Sequence, residues 1–339
     1  MTAQLEATAQ AMVADGKGIL AADESSGTIK KRFDSIGVES TEENRRDYRE
    51  MLFRCTDAMK TCISGVILFD ETLRQKAKDG TPLSQVISET GAIPGIKVDT
   101  GAKDLAACPG EKVTEGLDGL RERFAEYYDL GARFAKWRAV INIGNGIPSR
   151  TCLEANAHAL ARYAALAQEA NIVPIVEPEV IMDGPHDIAQ CFDATEAALN
   201  TLYDELYTQR VVLEGTILKP NMVLSGTDCA TQAGIDEVAA QTVKCLKRTV
   251  PAAVPGICFL SGGQSDEDAT AHLSAMNAMA DNPWKLSFSY GRALQAAALK
   301  AWGGKAENVP AAQSAFTHRA KMNSLAATGQ WNTELEKAA

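Results

Sequence analysis

Residues 211–220 read VVLEGTILKP. The run is short, β-branched and apolar, as a strand covered on both faces must be. Lys219 ends it and Pro220 closes it. Proline pushes the residue before it towards an extended conformation, so Lys219 is expected to continue the strand direction. Two readings of the ammonium follow. Its stem lies on apolar surface with the head in water, or it belongs to a polar pocket at the strand's end. The remainder of the chain decides between them.

Seven further runs share the pattern, each followed by a turn signal: KGILAAD (17–23), GVILFD (65–70), GIKVD (95–99), RFAKWRAVI (133–141), IVPIVEPE (172–179), GICFLSGG (256–263) and KLSFSYG (285–291). Helical patterns lie between them. STEENRRDYREMLFRCTDAM opens with Ser40 and Glu43 at capping-box spacing. GLDGLRERFAEYYDLG carries Leu117, Leu120, Phe124 and Tyr127 on one face and stops at Gly131. PSRTCLEANAHALARYAALAQEAN begins on a Pro-Ser cap signal. Only the link around PLSQVISE is weakly helical. Eight strands alternating with helices predict a (β/α)8 TIM barrel. A doubly wound open sheet is the second choice, without a G-x-G-x-x-G after the first strand to support it. No linker or change of composition divides the chain, so residues 1–339 read as one barrel domain. Residues 306–339 are expected to form a C-terminal helix and a flexible tail.

The bulk numbers agree with such a domain. The chain has 339 residues, 45% hydrophobic and 23% charged. Its net charge of −10 argues against nucleic acid as a partner. The eight cysteines are scattered, with no C-x-x-C pair, and read as free thiols in a reducing compartment. The N-terminus lacks the basic and apolar regions of a signal peptide. No segment reaches eighteen consecutive apolar residues, so no membrane partner is expected. The expected location is cytoplasmic.

A barrel gathers its strand C-termini at one mouth, and there this chain is charged. Asp23 ends the first run, Lys97 and Asp99 the third, Glu177 and Glu179 the fifth, and Lys219 the sixth; Lys136 and Arg138 sit in the fourth. Residues two apart share a strand face, so Lys136 points with Arg138 and Glu177 with Glu179. Buried charges are costly unless paired, so these must meet one another as a structural ion-pair network or as a site. A lysine beside another cation in a desolvated pocket is partly neutral amine, which attacks carbonyls to form an imine. Lys136 is the candidate neighbour, and the carboxylates supply acid and base. LSGGQS and SYGR, after the last two strands, are where barrels hold phosphate on backbone N–H groups, and Arg292 adds a fork of donors. Near the start, Ser25, Thr28, Lys31 and Arg32 offer a second anion site or a solvated basic turn. A small phosphorylated carbonyl compound handled through an imine fits these residues.

Long stretches then carry a resemblance: GKGILAADESSGTIKKRF (16–33), FAKWRAV (134–140), ANIVPIVEPEV (170–180), LEGTILKPNMV (213–223), PGICFLSGGQS (255–265) and FSYGRALQAAALKAWGGK (288–305). The chain resembles the class I fructose-1,6-bisphosphate aldolases, the metal-free Schiff-base type. The resemblance implies Lys219 as the imine-forming residue and Glu177 as the main acid/base, with Glu179 beside it. Lys136 becomes the neighbouring cation, and Asp23 the group that orients the substrate hydroxyl during carbon–carbon cleavage. Ser261, Gly262, Gly291 and Arg292 would hold the phosphate of the ketone half. Arg32, Thr28 and Lys97 would lie near the other phosphate, and Arg138 is placed with the substrate-binding set. No metal and no pyridoxal phosphate is implied, and a homotetramer is. Animal relatives use a C-terminal tyrosine, but the last tyrosine here is Tyr290. The four histidines lack metal-ligand spacing, against a metal-dependent aldolase. A pyridoxal-phosphate barrel, which also holds its cofactor through a lysine imine, and a non-catalytic scaffold compete with the aldolase reading.

Overall fold

The computed structural model describes residues 2–337. Eight parallel strands close into a barrel: β1 (Gly18–Ala22), β2 (Ile63–Leu68), β3 (Ile93–Lys97), β4 (Phe134–Ile141), β5 (Val173–Val180), β6 (Ile217–Leu218), β7 (Gly256–Phe259) and β8 (Lys285–Tyr290). Each strand pairs with its sequence neighbours, and β8 closes on β1. Helices lie between the strands, the longest being Arg150–Glu169 and Ile188–Thr208. The (β/α)8 expectation is therefore met. Alternation sorts the side chains of β4: Trp137 is buried and stacks on Tyr163 of helix 150–169, 5.6 Å between ring centroids. Lys136 and Arg138, on the opposite face, point into the barrel.

The N-terminal end of the barrel is plugged. Helix Thr2–Met12 packs Leu5, Ala9 and Met12 against Ile19, Phe134, Val173 and Ile217, which lie at or near the starts of their strands. Phe134 fills the axis because its neighbours leave room. A Cβ on Gly65 would stand 2.8 Å from its ring, and one on Gly95 closer still. With this end filled by apolar side chains, the polar residues are confined to the other.

Two expectations need correction, and one element was not signalled. The strand expected over 211–220 is two residues long, and Leu213–Gly215 form a 3-10 turn instead. Gly215 lies under the plugging helix, where a Cβ would be 3.1 Å from Leu5, and this close approach bends the chain away from the ladder. The ladder nevertheless reaches Lys219, whose N–H donates to the Val176 carbonyl at 2.9 Å. The helix Glu42–Phe53 is capped by Thr41, which accepts from the Asn44 N–H at 3.1 Å, and not by Ser40. The carbonyl of Ser40 accepts from Arg45 instead. A hairpin of Gly101–Asp104 and Lys112–Glu115, which the strand pattern does not signal, follows β3. The Pro-Ser signal does mark a cap: Ser149 accepts from the Cys152 N–H at 3.2 Å.

Beyond the barrel, helix Val309–Ala326 packs on helices Arg292–Trp302 and Asp266–Ala278. Thr333–Lys337 is a short helix tied back by Glu336, which accepts from Arg319 and from the Trp331 indole. Among the described residues, no helix is long and apolar enough to cross a membrane.

Candidate active site

The strand C-termini surround a cavity of about 300 Å3. Every site residue implied by the resemblance lines it: Asp23, Thr28, Arg32, Lys97, Lys136, Arg138, Glu177, Glu179, Lys219, Ser261, Gly262, Gly291 and Arg292; Asp99, expected with the strand-end charges, does not. Lys31, offered with the second anion group, does not.

The floor is a chain of alternating charges. Register sets Arg138 of β4 beside Glu177 of β5. Lys136 Nζ lies 2.8 Å from Asp23 and 3.1 Å from Glu177 Oε2, while Lys219 Nζ lies 3.1 Å from Glu177 Oε1. Lys136, Glu177 and Lys219 are all buried. Burial raises a carboxyl pKa and lowers an ammonium pKa, but here the mutual charges prevail. Burial would raise the Asp23 carboxyl, yet Lys136, Lys219 and Lys97 hold it well below its ordinary range. Lys136, Lys219 and Arg138 likewise outweigh burial at Glu177 and lower it. Burial alone would lower Lys136, yet Asp23, Glu177 and Asp99 raise it above an ordinary lysine. The floor therefore rests as carboxylates and a charged Lys136. Glu177 Oε2 faces the Lys136 ammonium at 3.1 Å without an aligned hydrogen bond. The neighbouring cation expected for Lys219 is present, joined to it through Glu177.

The rim carries the other cations. Arg138 binds Glu179, and Lys97 lies 3.6 Å from Asp99. Arg32 binds Glu24, and Arg292 binds Asp266 and the Gln264 carbonyl. Thr28 and Ser25 hydroxyls meet at 3.1 Å. Ser289 Oγ is buried against the cavity without a partner. Cations outnumber carboxylates around this cavity despite the acidic chain. The arrangement offers an anion site at each side of a desolvated, acid/base-equipped floor.

Sequence reasoning missed Glu24, Arg49 and Gln295. Gln295 Nε2 donates to Glu24 Oε1 at 2.9 Å, and Arg49 donates to the Glu24 carbonyl at 2.9 Å. Glu24 adjoins Asp23 in the sequence, which was its only signal. Arg49 and Gln295 sit on helices that read as ordinary outer-layer segments. Among the described residues, no group of three or more His, Cys, Asp or Glu is placed to hold a metal.

A parallel barrel with paired lysines and carboxylates on its floor and cations at its rim is a barrel enzyme for small anionic compounds. Residues 4–339 match the family model described as fructose-bisphosphate aldolase class-I. A probable class 1 fructose-bisphosphate aldolase of Xanthomonas campestris is 64% identical over 97% of this chain and 98% of its own length. The cytosolic fructose-bisphosphate aldolase 4 of Arabidopsis thaliana is 54% identical over 99% of this chain and 85% of its own. The Plasmodium falciparum fructose-bisphosphate aldolase, solved with TRAP and a small-molecule inhibitor, superposes with a TM-score of 0.94. It is 49% identical and covers 97% of this chain and 95% of its own. The chain belongs to the class I fructose-bisphosphate aldolase family. It is a lyase of glycolysis and gluconeogenesis that reversibly cleaves fructose 1,6-bisphosphate to dihydroxyacetone phosphate and glyceraldehyde 3-phosphate through a lysine Schiff base.

Proposed function

We propose that Lys219 is the lysine that forms the Schiff base. The carrying observation is that its Nζ stands 3.1 Å from one oxygen of Glu177 while Lys136 stands 3.1 Å from the other. Lys219 transfers a proton to Glu177 and attacks the ketone carbon. Glu177 returns the proton as the carbinolamine loses water. Glu179, fixed by Arg138, adds negative charge beside it. Asp23, held ionised by Lys136, takes the proton from the substrate C4 hydroxyl. The C3–C4 bond breaks, and its electrons pass into the iminium to give an enamine. The aldehyde leaves. Protonation of the enamine and hydrolysis then free the ketone.

The two anion sites position the substrate. Ser261, Gly262, Gly291 and Arg292 hold the phosphate of the ketone half. Arg32, Thr28 and Lys97 hold the other, with Arg138 between them and the floor. The imine is itself the electron sink, so neither a metal nor pyridoxal phosphate has a step to perform. Glu177, whose Oε1 lies 3.1 Å from Lys219 Nζ, supplies the closing proton. We place the protein in the cytoplasm, as the names of the Arabidopsis cytosolic relatives support. Following the family resemblance, residues 1–339 act as one domain within a homotetramer.

Borohydride reduction with dihydroxyacetone phosphate, in excess chelator, tests the assignment when followed by peptide mass mapping. A stable adduct on Lys219 is expected. An adduct on another lysine, or none in a protein that still cleaves substrate, overturns it.

A further inference from the structure

Behind Arg32 lies a second arginine that the aldol reaction does not use. Arg49 is 1% exposed, on the inner face of helix Glu42–Phe53. Only its Nη2 is engaged, donating to the Glu24 carbonyl. Nε and Nη1 are buried with no hydrogen-bond partner. Its carboxylate neighbours lie within ion-pair range but beyond hydrogen-bond distance: Glu24 Oε2 is 3.8 Å from Nη2 and Glu71 Oε1 is 3.7 Å from Nη1. Glu71 is already held by both forks of Arg45.

Glu24 is divided in the same way. Its Oε1 accepts from Arg32 and Gln295, while Oε2 is buried and unpartnered, facing Arg49. A guanidinium with idle donors and a carboxylate with an idle oxygen lie side by side in a desolvated layer, an arrangement that is costly unless used. Arg32 is half-buried and reaches the cavity. When it turns to a substrate phosphate, the Glu24 carboxylate keeps a hydrogen bond only from the neutral Gln295, whose own carboxamide oxygen is held by Tyr48 at 3.1 Å, and its remaining cation, Arg49, stands 3.8 Å away.

We propose that Arg49 is a positioning residue that receives Glu24 when Arg32 leaves it for the substrate phosphate farther from the ketone. Glu24 Oε2 closes on the Arg49 guanidinium, whose Nη2 stands 3.8 Å away, so the carboxylate stays paired and Arg32 is released at low cost. Without Arg49 the buried carboxylate has no second cation and holds Arg32 back. This inference rests on the assignment of Arg32 to that phosphate.

The test compares fructose 1,6-bisphosphate with fructose 1-phosphate, which lacks the phosphate in question, in R49M, R49K, E24Q, R32Q and the R49M/E24Q pair. Removing uniform binding raises KM and leaves kcat unchanged. For R49M, KM for the bisphosphate is expected to rise by about tenfold, with kcat and both constants for fructose 1-phosphate within about twofold. Adding E24Q is expected to cancel most of that rise, because no carboxylate remains to be held. R49K keeps the charge and is expected to rise less; it also carries the test should R49M fail to fold. Equal losses with both substrates, or a rise that E24Q does not reduce, overturn the proposal in favour of a purely structural arginine. An unchanged KM in both R49M and R49K overturns it as well. If R32Q leaves the bisphosphate KM unchanged, the assignment of Arg32 itself is overturned. If R32Q raises it and the Arg49 variants do not, only the present inference falls.

Discussion

Lys219 and Lys136 share one carboxylate: Glu177 offers Oε1 to the first and Oε2 to the second, each at 3.1 Å. Neither lysine can be altered without changing the charge that the other sees, and Asp23 extends the chain from Lys136 at 2.8 Å.

Replacing Lys136 by methionine leaves Asp23 without its nearest cation and Glu177 with Lys219 alone. Removing one partner of a buried pair costs about 3–5 kcal/mol. Urea unfolding of K136M at pH 7 should show a loss of that order, partly restored by adding D23N, and aldol cleavage should be abolished. The pH dependence has a definite sign. Asp23 is lowered in the folded state, so its contribution is complete above its unfolded pKa of about 3.9 and is lost as pH falls towards the folded value. Lys136 is raised, so its contribution is complete below about pH 10.4 and declines as pH rises above that. Both slopes should flatten in K136M/D23N; a stability profile parallel to the parent protein would contradict the pairing.

The cysteines make a separate prediction. Burial pushes the thiols of Cys152 and Cys191 up to about 11, and those of Cys245 and Cys258 up to about 12. The thiolate is the reactive form, so these should resist a disulfide reagent at pH 8. Cys108 and Cys229, which are only half-buried, should react first. In denaturant all eight should titrate. Prompt reaction of Cys258, which lies on β7 inside the barrel, would show that the barrel opens on the timescale of the assay.

The C-terminal segment should matter for stability and not for chemistry. Glu336 accepts from Arg319 at 2.6 and 2.7 Å, and Arg319 is buried against Thr270. Ending the chain at Gly329 leaves that guanidinium short of its counter-ion, a loss of about 1–3 kcal/mol in urea unfolding. Because every residue lining the cavity lies at or before Arg292, kcat for fructose 1,6-bisphosphate should stay within about twofold. A collapse of kcat with stability intact would assign the tail a catalytic part.

The cavity residues were legible because a strand's period of two and a barrel's common mouth turn sequence position into direction. Spacing alone places Lys136 with Arg138, and Glu177 with Glu179, on one face. The length of β6 was not legible. Its residues favour a strand, but Gly215 is claimed by the plugging helix, a contact between segments about two hundred residues apart.

Local pattern and the quoted stretches thus determined the barrel, its family and the residues that meet at its mouth, since each depends on periodicity or on neighbours in the chain. Tertiary structure alone decided which charges pair with which. It joined the two lysines through one carboxylate. It also set Arg49 behind Glu24 with donors to spare. Such pairings arise only when helices and strands distant in sequence are brought within a few ångströms, and there burial strengthens each charge's effect on the next.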